Sequence, residues 1–388
     1  MLERYSAANF KSFKTRTEFD FTATDYPALQ ETNTANGVLK GGLFVGGNAS
    51  GKTNAVEAIQ FLLETLCSSD KMDRSQLFCL FSKSVVMDFD YRFRIDEHSI
   101  RYRLCYQKRK DNFIEELWLD DEMMLERDGP DAESKLSDRK IFDQIPTDSV
   151  FLRDIWFNTG FRGHEVLQKW FTFLRNSVYI DLFLQRIRVY NNETPVDINE
   201  YLSKNGVETL NRFLSNCGFS YHFRYDPAQA KLNAGSDSSG LYLVRDEIRM
   251  NKGIPMQYES LGNIVLTNLL PSYLRVIERG GMLIMDEFSS GLHNDLERLL
   301  IQYFMERSGE AQIFLVSHST NLLSSGLFRP DQLYAVNFDE NGSNVVRFSE
   351  RKPRVSQNLE KMYLAGMFSG MPHYRDASEW GRNDDVSE

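Results

Sequence analysis

The chain has 388 residues, of which 41% are hydrophobic and 26% charged, and its formal net charge is -10. These values are typical of a soluble globular protein with two or three domain-sized units. The acidic balance argues against non-specific binding of nucleic acid by the whole surface, although it leaves a local basic groove open. The four scattered cysteines show neither zinc-site nor disulfide spacing, so we expect reduced thiols.

The first residues and the hydropathy of the chain bear on where in the cell the protein is found. Met1-Leu2-Glu3-Arg4 does not open a signal peptide. No apolar run approaches the ~18 residues that cross a membrane. We therefore expect a cytoplasmic protein without membrane contact.

A glycine-rich loop follows a short apolar run near the start. Residues 1–45 alternate apolar and polar side chains, which predicts two strands with a turn near Ser12 and then a buried strand at Leu43–Val45. Apolar residues recur at helical spacing from Val56 to Leu66. Between strand and helix, eight residues fit the phosphate-binding motif G-x-x-x-x-G-K-[ST]: Gly46, Gly47, Asn48, Ala49, Ser50, Gly51, Lys52 and Thr53.

The residue types of this loop suit a nucleoside triphosphate. Gly46 and Gly51 let backbone N–H groups turn toward phosphate oxygens, and the first helical turn adds its unsatisfied amides. Lys52 would reach the β- and γ-phosphates, and Thr53 would hold Mg²⁺. The sequence therefore predicts ATP and Mg²⁺ as ligands.

The middle of the chain changes from strand patterns to helix patterns. Three alternating segments within 85–119 predict an antiparallel meander, whose basic turn Lys108–Lys110 is either a solvated turn or a contact for nucleic acid. After a charged loop near Gly129, helical spacings dominate to about Cys217 and predict an inserted helical lobe.

Strand patterns return after this lobe. Phe219–Tyr225 and Gly240–Arg245 read as strands on either side of a Gly/Ser/Asn-rich loop. An apolar helix is predicted at Ile264–Ile277, and Pro271 should kink or restart it. Asp339–Gly342 is typical of a hairpin turn of type I′.

Two later apolar runs end in polar residues. Met282–Met285 is followed by Asp286 and Glu287, and the second run, Gln312–Val316, by Ser317 and His318. Continuous apolar runs are typical of buried parallel strands, and ligands of open α/β sheets gather at the carboxyl ends of such strands.

These three side chains could complete a hydrolytic site. Asp286 could bind Mg²⁺ beside Thr53, Glu287 could polarise the attacking water, and His318 could contact the γ-phosphate or that water. The alternative interpretations are an ordinary polar strand end for the acidic pair and a structural role for the histidine.

The motifs together resemble the ABC-type ATPase heads of the RecF, SMC and overcoming-lysogenization-defect (OLD) families. The resemblance rests on the phosphate-binding loop, the segment Glu259–Gly262, the strands ending at Glu287 and His318, and Asn9–Phe13, which is similar to the opening N-F-x-S-F of those heads. Among them the chain resembles most the short bacterial AAA/ABC "ATP/GTP-binding" ATPases of antiphage defence, which include RloA- and AbiL-like proteins, the PARIS ATPase AriA and Septu PtuA. Residues 363–372 are similar to their C-terminal segment, with Pro372 in the last place.

The resemblance implies a site shared between chains. In such heads the signature motif of one subunit closes over ATP held by another, so Ser260 and Gly262 would contact the γ-phosphate in trans. Ser260 precedes the predicted helix, where an anion is favoured. A simple helix cap is the alternative role for Ser260.

The expected fold is α/β: a P-loop NTPase of ABC-ATPase type with an antiparallel β meander and an inserted helical lobe. We expect the N-terminal half of the head at 1–128, the lobe at 129–218, the C-terminal half at 219–376 and a flexible tail at 377–388.

The expected function is that of an ATPase that forms a dimer or higher oligomer through ATP-sandwich interfaces. The resemblance implies that it senses a trigger and regulates a separate effector, such as a Toprim- or HNH-type nuclease, in antiphage defence. The alternatives are a RecF-like DNA-binding repair clamp and an ATP-binding scaffold with little turnover.

Overall fold

A computed structural model describes residues 1–68, 74–191, 197–232, 240–245, 253–324 and 326–370. The expected loop at 233–239, Pro372 and the expected tail at 377–388 lie outside these residues. Within the described residues no helix is long and apolar enough to cross a membrane.

The described residues contain twenty strands. In chain order these are β1 (Leu2–Ala8), β2 (Thr17–Asp20), β3 (Thr34–Ala35), β4 (Val38–Leu39), β5 (Gly41–Val45), β6 (Val86–Ile95), β7 (His98–Gln107), β8 (Asn112–Leu119), β9 (Glu122–Asp128), β10 (Asp131–Ser134), β11 (Ile141–Phe142), β12 (Val178–Asp181), β13 (Arg186–Val189), β14 (Tyr221–Tyr225), β15 (Leu241–Arg245), β16 (Ile254–Pro255), β17 (Met282–Asp286), β18 (Gln312–Val316), β19 (Leu333–Asp339) and β20 (Gly342–Arg347).

The same residues contain ten α-helices. In chain order these are α1 (Gln30–Asn33), α2 (Lys52–Cys67), α3 (Phe151–Thr159), α4 (Glu165–Arg175), α5 (Ile198–Asn205), α6 (Glu208–Asn216), α7 (Pro227–Leu232), α8 (Leu261–Arg279), α9 (Asn294–Arg307) and α10 (Leu359–Leu364).

Two large sheets organise the fold. The first, here called the meander sheet, is antiparallel and has the strand order β11-β10-β9-β8-β7-β6-β1-β2. The second, here called the P-loop sheet, has the order β13-β12-β17-β18-β5-β19-β20, with parallel pairing from β12 through β19 and antiparallel strands at both edges. The expected α/β class with an antiparallel meander is confirmed.

Helix α2 fills the space between the two sheets. It is apolar along much of its length, with Val56, Ile59 and Leu62 fully buried in the core that the two sheets share. Tyr5 and Tyr91 of the meander sheet donate hydroxyl hydrogen bonds to carbonyl oxygens of α2, at 2.8 and 2.7 Å. These bonds satisfy buried hydroxyl groups and orient the helix that begins at the glycine-rich loop.

A second core lies on the opposite face of the P-loop sheet. Helices α8 and α9 pack there against alternate residues of β17 and β18, such as Leu283 and Leu315. Because the parallel strands are buried on both faces, they are apolar throughout, as their sequence indicates.

The segment 129–218 is not purely helical. It contains α3 to α6, as the spacing predicts, but also β10 to β13. Strand β12 pairs in parallel with β17, so this segment contributes β12 and the edge strand β13 to the P-loop sheet. The short apolar run Val178–Ile180 lies between helical patterns, which explains why its strand was not predicted. The domain boundaries themselves stay a prediction.

Two local features concern the predicted helix and the predicted hairpin. Helix α8 runs from Leu261 to Arg279 through Pro271 as one helix, so the expected restart does not occur, whereas a kink at Pro271 stays a prediction. The hairpin turn is not of type I′, because that type needs a positive φ at both turn residues. Neither Glu340 nor Asn341 has one, whereas Gly342 has a φ of 92°. A Cβ at Gly342 would lie 2.5 Å from the carbonyl oxygen of Ser12, so packing against the N-terminal turn selects this geometry.

Candidate active site

The glycine-rich loop joins β5 to α2 at the carboxyl edge of the P-loop sheet. Gly51 is the N-cap residue of α2, with a φ of 101° and no side-chain cap, so the first turn of the helix leaves its N–H groups to a ligand. A Cβ at Gly51 would lie 2.3 Å from Ser343 Oγ and 2.5 Å from Ser12 Oγ. The Oγ atom of Ser50 is buried and has no hydrogen-bond partner. The loop thus fits a phosphate group.

Lys52 lies folded against its own loop. Its Nζ atom donates to the carbonyl oxygens of Gly46 and Gly47, at 3.1 and 2.9 Å. Burial lowers the pKa of Lys52 to about 8, although nearby Glu287 and Asp286 act in the opposite direction. These two carbonyl oxygens carry no charge. An anion held by the loop would give the Lys52 ammonium group a partner of opposite charge.

Thr53 and Asp286 meet across the site as expected. Thr53 Oγ1 donates to Asp286 Oδ1 at 3.2 Å. Burial raises the pKa of Asp286 to about 6. The hydrogen bond from Thr53 acts to lower this pKa, whereas the negative charges of Glu287 and Asp181 act to raise it. Two oxygens on neighbouring corners of a Mg²⁺ octahedron are about 3.0 Å apart at the usual bond length. The pair therefore fits that ion.

Glu287 has an unusual backbone conformation. Its φ is 52°, in the left-handed region that non-glycine residues seldom occupy. Its Oε1 atom lies 3.5 Å from Nε2 of His318, and both side chains remain partly exposed, at 36% and 40%. Strain of this kind is found where a function requires a side-chain direction. The two predicted catalytic residues are thus neighbours beside Asp286.

The segment Asn9–Phe13 forms one wall of the glycine-rich loop. Ser12 accepts a hydrogen bond on Oγ from Nδ2 of Asn54, at 2.6 Å, and Lys11 forms an ion pair with Glu57 of α2. On the same side, Ser343 of β20 donates to the carbonyl oxygen of Ser50 at 2.6 Å. The motif that the sequence links to ATPase heads therefore packs against the start of α2, and Ser12 Oγ lies 2.5 Å from the position of a Cβ on Gly51 of the loop.

Ser260 caps helix α8 in this structure. Its Oγ atom accepts from the N–H group of Asn263 at 3.4 Å. A Cβ on the neighbouring Gly262 would lie 3.0 Å from the carbonyl oxygen of Gly291, which belongs to the turn after Glu287. Within one chain the cap alternative accounts for Ser260. The contact of Ser260 and Gly262 with the γ-phosphate of a second chain stays a prediction.

Two residues that the sequence did not indicate also reach the site. Tyr179 donates from its hydroxyl group to Asp286 Oδ2 at 3.5 Å, and Asp181 is the register partner of Asp286. The signal was present, because an apolar run ending in Asp181 repeats the pattern that ends in Asp286. It was hidden between two helical segments.

Most of the chain matches a known protein family. Residues 43–324 match the AAA_21 family, described as "AAA domain, putative AbiEii toxin, Type IV TA system". No curated protein matches the sequence.

Solved structures give a second comparison. The Smc head domain of Pyrococcus furiosus, solved with an extended coiled coil and bound to the C-terminal domain of ScpA, has a TM-score of 0.51 and 13% identity over 91% of this chain and 97% of that chain. The SMC head domain of Thermotoga maritima has a TM-score of 0.49 and 14% identity over 89% of this chain and 98% of that chain. At these identities the Pyrococcus likeness shows a common fold and nothing further.

Proposed function

The chain belongs to the AAA_21 family of P-loop ATPases, and we propose on this basis that it binds ATP with Mg²⁺ and hydrolyses it to ADP and phosphate. The observation that carries the proposal is the contact between Thr53 and Asp286, which joins the phosphate-binding loop to the strand end that bears the catalytic carboxylate. A loop that only bound phosphate would not need Glu287 and His318 beside it.

Each side chain has a role that its position supports. Lys52 would hold the β- and γ-phosphates, and Thr53 and Asp286 would hold Mg²⁺. When bound there, the ion would neutralise charge on the phosphate oxygens. Glu287 accepts a hydrogen bond from the attacking water and orients it, and His318 positions Glu287 or contacts the γ-phosphate.

The test is turnover by the purified protein. We expect the protein, either alone or together with its binding partners, to release phosphate from ATP. This release should be saturable and should require Mg²⁺. Saturable ATP binding without any turnover under these conditions would favour the scaffold alternative and contradict the proposal.

We propose further that two chains complete each site. Large apolar side chains are exposed where α8 begins and just after β12: Tyr258 at 74%, Leu261 at 57%, Phe183 at 72% and Leu184 at 50%. Such residues favour contact with a second protein surface, and a second copy would bring Ser260 and Gly262 toward the phosphate-binding loop. The subunit count is tested by measuring mass in solution with and without ATP.

We also propose that the ATPase senses a trigger and regulates a separate effector in antiphage defence. The description of the family as a putative toxin of a toxin–antitoxin system supports a role in such conflict systems. The test is phage challenge of cells that carry the gene with its genomic neighbours. Equal plaque numbers with wild type, Lys52→Ala and empty vector would contradict the defence role.

A RecF-like clamp is the second candidate. The turn at Lys108–Lys110 is basic and exposed, and duplex DNA could contact it. ATP-dependent binding of duplex DNA that is lost when these residues are replaced by alanine would favour the clamp over the defence role.

A further inference from the structure

Two phenylalanine rings, one of them near the end of β19, form an exposed aromatic pair. Phe81 and Phe338 pack edge to face, with ring centroids 5.4 Å apart and an interplanar angle of 67°. They remain 55% and 47% exposed. Here we call them the aromatic pair. Half of the surface of each ring is thus free to contact a ligand.

The pair is connected to the phosphate-binding loop through one cross-strand neighbour. Phe338 lies directly opposite Ser343 in the β19–β20 hairpin. Directly opposite residues of antiparallel strands place their side chains on the same face, with Cβ atoms roughly 4.5–5.5 Å apart. Ser343 donates to the carbonyl oxygen of Ser50, so the ring of Phe338 lies next to a residue that contacts the loop.

Hydrogen bonds hold the loop that carries the second ring, Phe81. The loop that carries Phe81 is joined to Asn9, whose carbonyl oxygen accepts from the N–H group of Cys79 at 3.3 Å and whose Nδ2 atom donates to the carbonyl oxygen of Ser84 at 2.9 Å. The segment Asn9–Phe13 therefore also holds the loop that carries Phe81.

The order of strands gives the direction of the bound nucleotide. Asp286, Glu287 and His318 lie at the carboxyl ends of β17 and β18, which are on one side of β5, whereas β19 and β20 are on the other. In the proposed function the γ-phosphate lies near these three side chains. The rest of the nucleotide then extends toward the opposite side, where the aromatic pair lies.

We propose that the aromatic pair is the base-binding surface of the site and that the purine base of the nucleotide stacks on Phe338, with Phe81 supporting the ring from its edge. Stacking on an aromatic ring suits every base, and the larger face of a purine gives the larger contact. This proposal rests on the proposed binding of ATP at the phosphate-binding loop.

The test compares ATP with inorganic tripolyphosphate, which has phosphates but no base. Titration calorimetry should show that Phe338→Ala weakens ATP binding by about 5- to 150-fold, the range for loss of one stacked base. Tripolyphosphate should bind wild type and variant equally. Phe338→Tyr should retain ATP affinity. Phe157→Ala, a half-exposed phenylalanine on α3, is the matched control and should leave both affinities unchanged.

The outcomes separate the two proposals. Unchanged ATP affinity in Phe338→Ala, or equal loss for ATP and tripolyphosphate, would overturn the base-binding role while the proposed function stands. Failure of wild type to bind ATP would overturn the proposed function itself. Phe81→Ala provides a second variant in case Phe338→Ala does not fold, and it should reduce ATP affinity in the same selective way.

Discussion

Thr53 donates a hydrogen bond to Asp286 at 3.2 Å, although the two residues are 233 positions apart in the chain. This contact joins the halves of the fold that the meander sheet and the segment 129–218 separate in sequence. Both oxygens face the place where Mg²⁺ would bind, and Asp286 is nearly completely buried, at 5% exposure. A buried carboxylate without its cation is costly, which leads to the first prediction.

In metal-free protein, Asp286→Asn should increase the free energy of unfolding at pH 8 but not at pH 4. The pKa of Asp286 is raised to about 6 in the folded state and is about 4 in the unfolded chain. The folded state therefore holds the proton more tightly, and wild-type stability falls as pH rises from about 4 to about 6. At pH 8 the free energy of unfolding of Asp286→Asn should exceed that of wild type by about 3 kcal/mol. Urea unfolding of both proteins at pH 4 and pH 8 measures this difference. A difference of the same size at both pH values would contradict the account.

Lys52→Ala should weaken ATP binding by about 100-fold or more, because it removes the charge-assisted hydrogen bonds of the loop cation to two phosphates. Lys204→Ala, an exposed lysine on α5, is the control and should bind ATP like wild type. Calorimetry measures the affinities, and circular dichroism verifies folding. Wild-type affinity in folded Lys52→Ala would exclude this loop as the nucleotide site.

Gly51→Ala should destabilise the protein by roughly 2–4 kcal/mol, since a side chain there adds both backbone strain and a clash. The added Cβ would lie 2.3 Å from Ser343 Oγ and 2.5 Å from Ser12 Oγ. Gly163→Ala separates the two effects, because Gly163 also has a positive φ, of 86°, but has no atom within 4 Å of the added Cβ. Thermal melting compares them. The account requires a clearly larger loss of stability for Gly51→Ala.

Ser260→Arg should block hydrolysis but allow ATP to bind to the loop of its own chain. Mixed with Lys52→Ala, it should recover part of the activity if two chains complete each site. One site of such a mixed dimer has both partners intact, whereas the other carries both changes. Phosphate release after mixing is the measurement. No recovery in mixed dimers shown to form would mean that Ser260 only caps α8.

The parts of the site predicted from sequence are those that local patterns determine. The loop motif, the apolar run before Asp286 and the run before His318 each specify a short strand and its polar end within a few residues. The residues that were missed depend on packing between distant segments. Asp181 ends strand β12, which lies between two helical segments in the sequence, and the contact of Ser343 with the loop exists only because the hairpin packs beside it.

The helices also differ in how far local sequence patterns, rather than packing between distant segments, determine them. Their spacing predicts α2 and α8 well, because each buries a continuous apolar stripe. Pro271 predicts a kink or a restart, but α8 continues through it without a restart, and Pro271 is buried among residues of the second core. Tertiary contacts there outweigh the local preference of proline.

The central claim is that Glu287 activates water for ATP held by Lys52, Thr53 and Asp286. Its most direct test is parallel measurement of ATP affinity and single-turnover hydrolysis in Glu287→Gln. The account predicts unchanged affinity and a hydrolysis rate lower by about 10²- to 10⁴-fold, because the amide cannot accept the proton of the attacking water. Hydrolysis at the wild-type rate in the folded variant would contradict it.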